Sequence, residues 1–322
     1  MSENRSSSSG PLFWRRWLRP PTRVFLVEAD SVPGLSWFDR LHGYVYARWP
    51  YLYIGVATGE HRLARVVRPV ANRLLALFGG DGRGGEVDRG RAFADTYHGK
   101  AVPLEQATQL VTVDEDISLE DLEQVIPYAK ARDIVLRNPD HIVVLDCPCR
   151  VSRSDPCLPL DVCLIVGEPF ASMVAEYHPH RSRRISPDEA VDILRAEDGR
   201  GHVHHAFLKD AMLGRFYAIC NCCSCCCGAM QAHQAGVPML ASSGYVCRPR
   251  AELCVACGSC VESCQFDALS IGDQAVVVDN KACMGCGVCI SHCDEGALSL
   301  VPDPDRGAPL DIRILTAGSQ GA

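Results

Sequence analysis

Cysteine carries the chemistry of this 322-residue chain. Eight of its nineteen cysteines form two copies of one spacing, Cys254-x2-Cys257-x2-Cys260-x3-Cys264 and Cys283-x2-Cys286-x2-Cys289-x3-Cys293. Four thiolates so spaced can wrap one cubane iron–sulfur cluster, and two copies make a two-cluster electron carrier. The offset, 29 residues from 254 to 283, also relates Gly258 to Gly287, Ala268 to Ala297, Leu269 to Leu298 and Ser270 to Ser299. A constant offset across ligands and non-ligands marks an internal repeat. Two residues between ligands let a tight loop turn its sulfurs inward, and Gly258 and Gly287 ease the close backbone approach. Zinc is the competing occupant, but four-cysteine zinc sites usually come as two separated pairs.

Eleven cysteines lie outside the repeat. Cys147-Pro-Cys149-Arg150 is followed by Cys157 and Cys163, then by the run Cys220, Cys222, Cys223, Cys225, Cys226 and Cys227, and last by Cys247. Thiolates this crowded repel one another unless cations neutralise them, and six free thiols in eight positions would invite oxidation. Bound metal resolves both problems. Each of the two sets has enough thiols for one further cluster, so one or two more iron–sulfur clusters are expected within 147–227, and two would use eight of the eleven cysteines. Copper or zinc storage, or metal sensing, is the competing reading. Arg150 is a candidate cofactor-binding residue, as a donor to cluster sulfur or to an anionic substrate. His178, His180, His202, His204 and His205 flank the cysteines and could each replace a thiolate ligand, although a surface or satisfied core role suits any single one better.

Residues 252–302 resemble the bacterial two-cluster ferredoxins. In that family the fourth cysteine of each run ligates the other cluster. The resemblance implies two [4Fe–4S] clusters, one on Cys254, Cys257, Cys260 and Cys293, the other on Cys283, Cys286, Cys289 and Cys264. The family places proline after the fourth cysteine, whereas this chain has Gln265 and Asp294. Over about 118–302 the chain resembles uncharacterised bacterial and archaeal iron–sulfur proteins whose cysteine-rich unit precedes a two-cluster ferredoxin unit. That likeness implies redox work without naming a substrate. Residues 1–100 resemble nothing recognised.

The remaining composition bounds what must position these thiols. A hydrophobic content of 47% with 22% charged residues is ordinary for a globular protein with a real core. Met1 to Pro11 lacks the apolar stretch of a secretory leader, so the cysteines read as metal thiolates in a reducing cytoplasm. Residues 216–247 hold no Asp, Glu, Lys or Arg, but their cysteines, Asn221 and Gln231 suit a buried cluster shell better than a lipid-facing helix. Residues 1–75 carry eleven Arg against five acidic residues, about +6, which leaves about −13 of the net −7 for the rest. That acidic remainder argues against nucleic-acid binding. Phe13-Trp14-Arg15-Arg16-Trp17-Leu18-Arg19 suits a solvated basic tail or, as the competing reading, a membrane-surface or acidic-partner contact; with the aromatic stretch Tyr44–Tyr53 it is expected to dock a partner subunit or the inner membrane face.

The expected fold class is α+β, with a C-terminal bacterial-type dicluster ferredoxin unit appended to a mixed α/β cysteine-rich domain. The expected divisions are a flexible basic tail at 1–22, an N-terminal α+β region at 23–110, a cysteine-rich cluster-binding domain at 111–247, the ferredoxin domain at 248–302 and a tail at 303–322. Within them, Arg23–Ala29 reads as a strand, Ser118 as a helix start and Ile142–Leu145 as a buried strand. The glycines between 79 and 90 read as a loop, and Ser186 as the N-cap of a helix over 187–197. No Gly-x-Gly-x-x-Gly follows a strand, so no nicotinamide or flavin site is expected. The chain thus reads as an electron carrier serving a partner oxidoreductase. The alternative is a reductase with an accessible cluster or thiol pair in 147–227.

Overall fold

The computed structural model describes residues 18–67, 69, 97–119 and 134–319. The glycine-rich stretch, the Trp-Arg stretch as far as Trp17 and the region after Ser118 that was expected to be helical lie outside them. Three helices open the described chain: α1 (Pro20–Ser31), α2 (Trp37–Arg48) and α3 (Pro50–Thr58). The strand expected at Arg23–Ala29 is therefore part of a helix. Its apolar residues recur at helical rather than alternating spacing, and the buried ones, Phe25 and Ala29, stand one turn apart. Ser36 caps α2 through a reciprocal bond with Asp39.

A seven-stranded sheet forms the centre, in the order β6-β4-β5-β8-β7-β1-β9. Its strands are β1 (Tyr97–Ala101), β4 (Ile142–Asp146), β5 (Asp161–Val166), β6 (Ser182–Ile185), β7 (Val203–Lys209), β8 (Arg215–Cys222) and β9 (Leu240–Ala241). A separate pair, β2 (Ile117–Leu119) with β3 (Ile134–Leu136), places Ser118 in a strand, not at a helix start. All contacts in the large sheet are antiparallel except β1 with β9.

Strand alternation sorts the side chains to two faces. Val143, Leu145, Cys163, Ile165, Phe207, Tyr217 and Cys222 face one way, together with Phe25 of α1 and Ala47 of α2. Ile142, Val144, Leu164, Leu208, Phe216 and Ile219 face the other. The second face is covered by α4 (Leu104–Thr112) and α7 (Pro187–Gly199), and the Ser186 hydroxyl accepts the Glu189 N–H at the start of α7. The one-turn helix α5 (Pro148–Val151) follows β4, α6 (Phe170–Tyr177) follows β5 and α8 (Gly228–Gln234) follows the cysteine run.

The expected division at 110/111 thus falls inside α4, and β1, assigned to the N-terminal region, is an interior strand of the central sheet. The residues expected to be a tail after 302 include α11 (Ile312–Ser319). They are anchored by buried Leu310 and Ile312 and by Asp311, which accepts from Gln106 and Gln109.

The ferredoxin segment contributes β10 (Tyr245–Pro249), β11 (Leu269–Ile271), β12 (Val276–Val278), β13 (Leu298–Pro302) and the one-turn helices α9 (Ser259–Glu262) and α10 (Val288–Ser291). β10 pairs with β13, and β11 with β12. The architecture is α+β. No helix among the described residues is long and apolar enough to cross a membrane.

Candidate metal centres

The two ferredoxin runs fold alike because their backbones repeat. Gly258 and Gly287 precede α9 and α10 with φ of 88° and 87°, a left-handed conformation that a side chain would strain. In each run the amide four residues beyond the last cysteine returns to it. Ala268 N donates to Cys264 Sγ and Ala297 N to Cys293 Sγ, both at 3.3 Å. Val276 N reaches Cys254 Sγ and Cys247 N reaches Cys283 Sγ, both at 3.5 Å.

Two hollows result, each of about 20 Å³. One is walled by Cys254, Cys257, Cys260 and Cys293 with Val255, Ile271 and His292. The other is walled by Cys264, Cys283, Cys286 and Cys289 with Phe266, Met284 and Cys247. Each hollow thus takes three sulfurs from one run and the fourth from the other. The apolar walls and inward amides suit a sulfur-rich anionic cluster, so the donor set fits the group.

The hollows differ in exposure. Cys257 is open to solvent, and Val255 beside it is 62% exposed. Hydrogen bonds from the Ser259 side chain and backbone pull the Cys257 thiol below its ordinary pKa. At the second hollow, burial holds Cys286 well above its ordinary value. A hydrogen bond with Cys247, 3.6 Å away, does the same for Cys289, helped by burial. Ionising such thiols needs a cation beside them. Sequence spacing had placed Cys247 in no site.

The ten cysteines of 147–227 converge as well, but not in their two sequence sets. Cys157 joins Cys223, Cys225 and Cys226 in a group whose four Sγ atoms all lie within 4.8 Å of one another. The sets mix because β5 and β8 are neighbours, so the loop entering β5 meets the run leaving β8. Cys147, Cys149, Cys163, Cys220, Cys222 and Cys227 instead wall a chamber of about 80 Å³, shared at its edge by Cys223 and Cys226. In this chamber Cys222 and Cys227 stand 3.2 Å apart. Hydrogen bonding with Cys149, opposed by Cys163, together with burial pushes Cys147 up to about 12.

Tyr46, Pro50 and Ile54 of α2 and α3 close the chamber, facing Tyr217 and Phe207 of the sheet. The tyrosines of 44–53 are half-buried, and Tyr46 and Tyr51 bond to the sheet and its loop. Tyr46 Oη and Tyr217 Oη are 2.9 Å apart, and Tyr51 Oη donates to the Asp146 carbonyl at 3.1 Å. Lys209 Nζ stands 3.7 Å from the Tyr46 ring centroid and 4.6 Å from that of Tyr53, a buried cation–π clamp on the roof. Trp37 and Phe38 remain outward, 73% and 61% exposed.

Arg150 forms part of the chamber wall. Its guanidinium is buried, donating to the Glu197 carboxylate at 2.6 Å, to the Asn221 carbonyl at 3.1 Å and to the Pro159 carbonyl at 2.5 Å. Its Nε has no hydrogen-bond partner among the described residues. A buried cationic donor left unpaired at the wall of a thiol chamber suits an anionic sulfide or substrate. Burial works against the Glu197 carboxylate, but His202 and Arg150 outweigh it and hold it below its ordinary pKa.

The histidines weighed as ligands line none of these hollows. His178 is bonded to the Ala47 carbonyl, His202 to Glu197 and His204 to Asn221. Burial keeps His205 neutral, pushed down to about 3.

Residues 253–302 match a family model described as a 4Fe-4S dicluster domain. No curated protein matches the chain. The chain is an iron–sulfur protein by that segment and its thiol-lined hollows.

Proposed function

We propose that the protein is an electron carrier that exchanges single electrons with a partner oxidoreductase through its ferredoxin segment and passes them inward to the chamber beneath α2 and α3. Bound clusters supply one-electron chemistry. The chain's residues hold them, order them and shield them from water. Cys254, Cys257, Cys260 and Cys293 would hold one [4Fe–4S] cluster, and Cys264, Cys283, Cys286 and Cys289 the other. The six inner thiols would hold further iron and sulfide beside Arg150.

The observation that carries this reading is Phe266. It follows the Cys264 and Gln265 pair and packs against both the ferredoxin core and the core containing the chamber cysteines. The segment thus has an outer site open at Cys257 and an inner site pressed against the cysteine-rich unit. Iron and acid-labile sulfide on anaerobically purified protein test it. At least about eight irons per chain are expected, two cubanes' worth, and fewer would sink the reading.

A second reading, a reductase, is favoured by volume. The chamber is about 80 Å³ where each ferredoxin hollow is about 20 Å³, which leaves room for a small substrate beside a cluster. Cyanide binding separates the two. A perturbed cluster signal that disappears in Cys149→Ser supports an accessible site, and an unperturbed signal supports a carrier.

Contact of the N-terminal region with a partner subunit or a membrane face belongs to the same proposal, supported by the outward Trp37 and Phe38. Thr22 is buried and bonded to Tyr177, so the deletion that tests it is 1–17. Weaker co-sedimentation with iron retained supports docking, and loss of iron refutes it.

A further inference from the structure

We infer that Cys157, Cys223, Cys225 and Cys226 form a mononuclear tetrathiolate site for one divalent ion, zinc or ferrous iron, and not a cluster site. The argument is one of distance. A tetrahedral ion with metal–sulfur bonds of about 2.3 Å brings its four sulfurs to about 3.8 Å from one another. Thiolates on the corners of a cubane stand farther apart, by the width of the iron cube plus the outward iron–sulfur bonds, about 6 Å. The four Sγ atoms here all lie within 4.8 Å of one another. Cys157 and Cys225 are at 3.1 Å, and Cys225 and Cys226 at 3.7 Å.

The ferredoxin segment supplies an internal comparison. Its two quartets surround open hollows, and among the described residues neither quartet draws together as this one does. The chamber touches Cys223 and Cys226 but neither Cys157 nor Cys225, so the quartet encloses no space for inorganic sulfide.

Its surroundings hold it in place. Arg153 donates to the Cys226 carbonyl from Nε at 3.3 Å and from Nη2 at 3.1 Å, and Gln231 Nε2 donates to the Cys225 carbonyl at 2.9 Å. Ser224 donates to Gln265 Oε1 from both its amide and its hydroxyl, each at 2.9 Å. Partners that orient ligands from outside are a mark of metal sites. The ion would clamp the loop bearing Cys157 onto the run 223–226 and so close the outer wall of the chamber, because Cys223 and Cys226 belong to both.

The test uses the full chain purified anaerobically, with metals and acid-labile sulfide counted in wild type, Cys157→Ser and Cys225→Ser. We expect each variant to lose one zinc or iron per chain with sulfide unchanged, and the EPR signal of the reduced ferredoxin segment to persist. Zinc loss identifies a structural ion and iron loss a redox one. A parallel fall of iron and sulfide overturns the site, as does no loss of metal. If the variants fail to fold, zinc X-ray absorption and 57Fe Mössbauer spectra of the wild type decide. An isolated zinc or high-spin ferrous ion on four sulfurs supports the site, and the absence of both overturns it. Sulfide retained in all samples keeps this test separate from the electron-transfer reading.

Discussion

The ferredoxin segment and the cysteine-rich unit hold similar numbers of thiols by opposite means. In the first, eight ligands lie within 40 residues (254 to 293), and the backbone turns them inward through two left-handed glycines and repeated amide-to-sulfur bonds. In the second, ten thiols spread over 81 residues (147 to 227) meet only because β4, β5 and β8 are neighbours in one sheet. Local wrapping needs little of the surrounding fold. Convergence through a sheet needs all of it. The cysteine-rich unit is accordingly tied by a buried ion pair, a cation–π clamp and a helical roof.

The largest expected effect follows from that dependence. Glu197 and Arg150 are each 1% exposed and joined at 2.6 Å. Breaking a buried pair by removing one partner leaves an uncompensated charge and costs about 3–5 kcal/mol. Glu197→Gln is expected to lower thermal stability by about that amount and to empty the chamber of iron while the ferredoxin signal persists. The wild-type carboxylate titrates below its ordinary value. Its stabilisation is therefore present above the unfolded pKa and lost as pH falls through the folded one. Wild type should therefore weaken more steeply than the variant only as pH falls below the ordinary carboxylate value of 4.5, and denaturation curves that stay parallel through that acid range would contradict this.

The next effect strikes the junction. Gly285 has φ +64°, and a Cβ there would sit 2.1 Å from the Tyr245 carbonyl oxygen and 2.4 Å from Ser243 Oγ. Those neighbours are held, since Ser243 Oγ itself donates to the Gly285 carbonyl at 2.7 Å. Gly285→Ala should therefore force backbone apart at a cost of about 1–3 kcal/mol and lower cluster occupancy at the Cys264, Cys283, Cys286, Cys289 site first. Retained iron with unchanged melting would show that the segment docks more loosely than this packing implies.

What was legible in sequence follows the same division. Spacing alone placed all eight ferredoxin cysteines in their hollows, with the crossed fourth ligand implied by family likeness, because each loop determines its own shape. The pairing of Cys157 with Cys223, Cys225 and Cys226 had no local signal, since it depends on which strands become neighbours. Arg150 was noticed for standing next to Cys149, but Glu197, 47 residues away, carried no mark as its partner. Aromatic alternation with arginine over Tyr44–Tyr53 gave no sign that the helical period brings Tyr46 to the chamber wall. The strand reading of Arg23–Ala29 failed for the same reason, a short apolar run being compatible with either period.

A milder perturbation probes the roof. Lys209 is buried over Tyr46 and Tyr53. Burial pushes Lys209 down to about 7, so its ammonium is only part of the population at neutral pH. Lys209→Met keeps most of the volume and removes that cation, at a cost of up to about 2 kcal/mol that grows as pH falls below 7. The expected outcome is faster proteolysis within α2 and α3 and faster loss of iron from the chamber on exposure to chelator, with the ferredoxin segment unaffected. Equal chelation rates would mean that the roof does not gate the chamber.

The smallest effect asks whether the two regions act as one. Gln265 stands where the ferredoxin family has proline, and its Oε1 accepts both donors of Ser224 between Cys223 and Cys225. A proline at that position has no side-chain acceptor, so the family residue would serve the cluster but not the tether. Gln265→Pro should leave the backbone of the ferredoxin run intact and cost about 1 kcal/mol through the lost bonds to a part-buried amide. Thermal melting that separates into two transitions, with the segment retaining its iron longer than the cysteine-rich unit, would show that this side chain couples them. A single transition at nearly the wild-type temperature would assign the coupling to the Phe266 contact and the Gly285 junction instead.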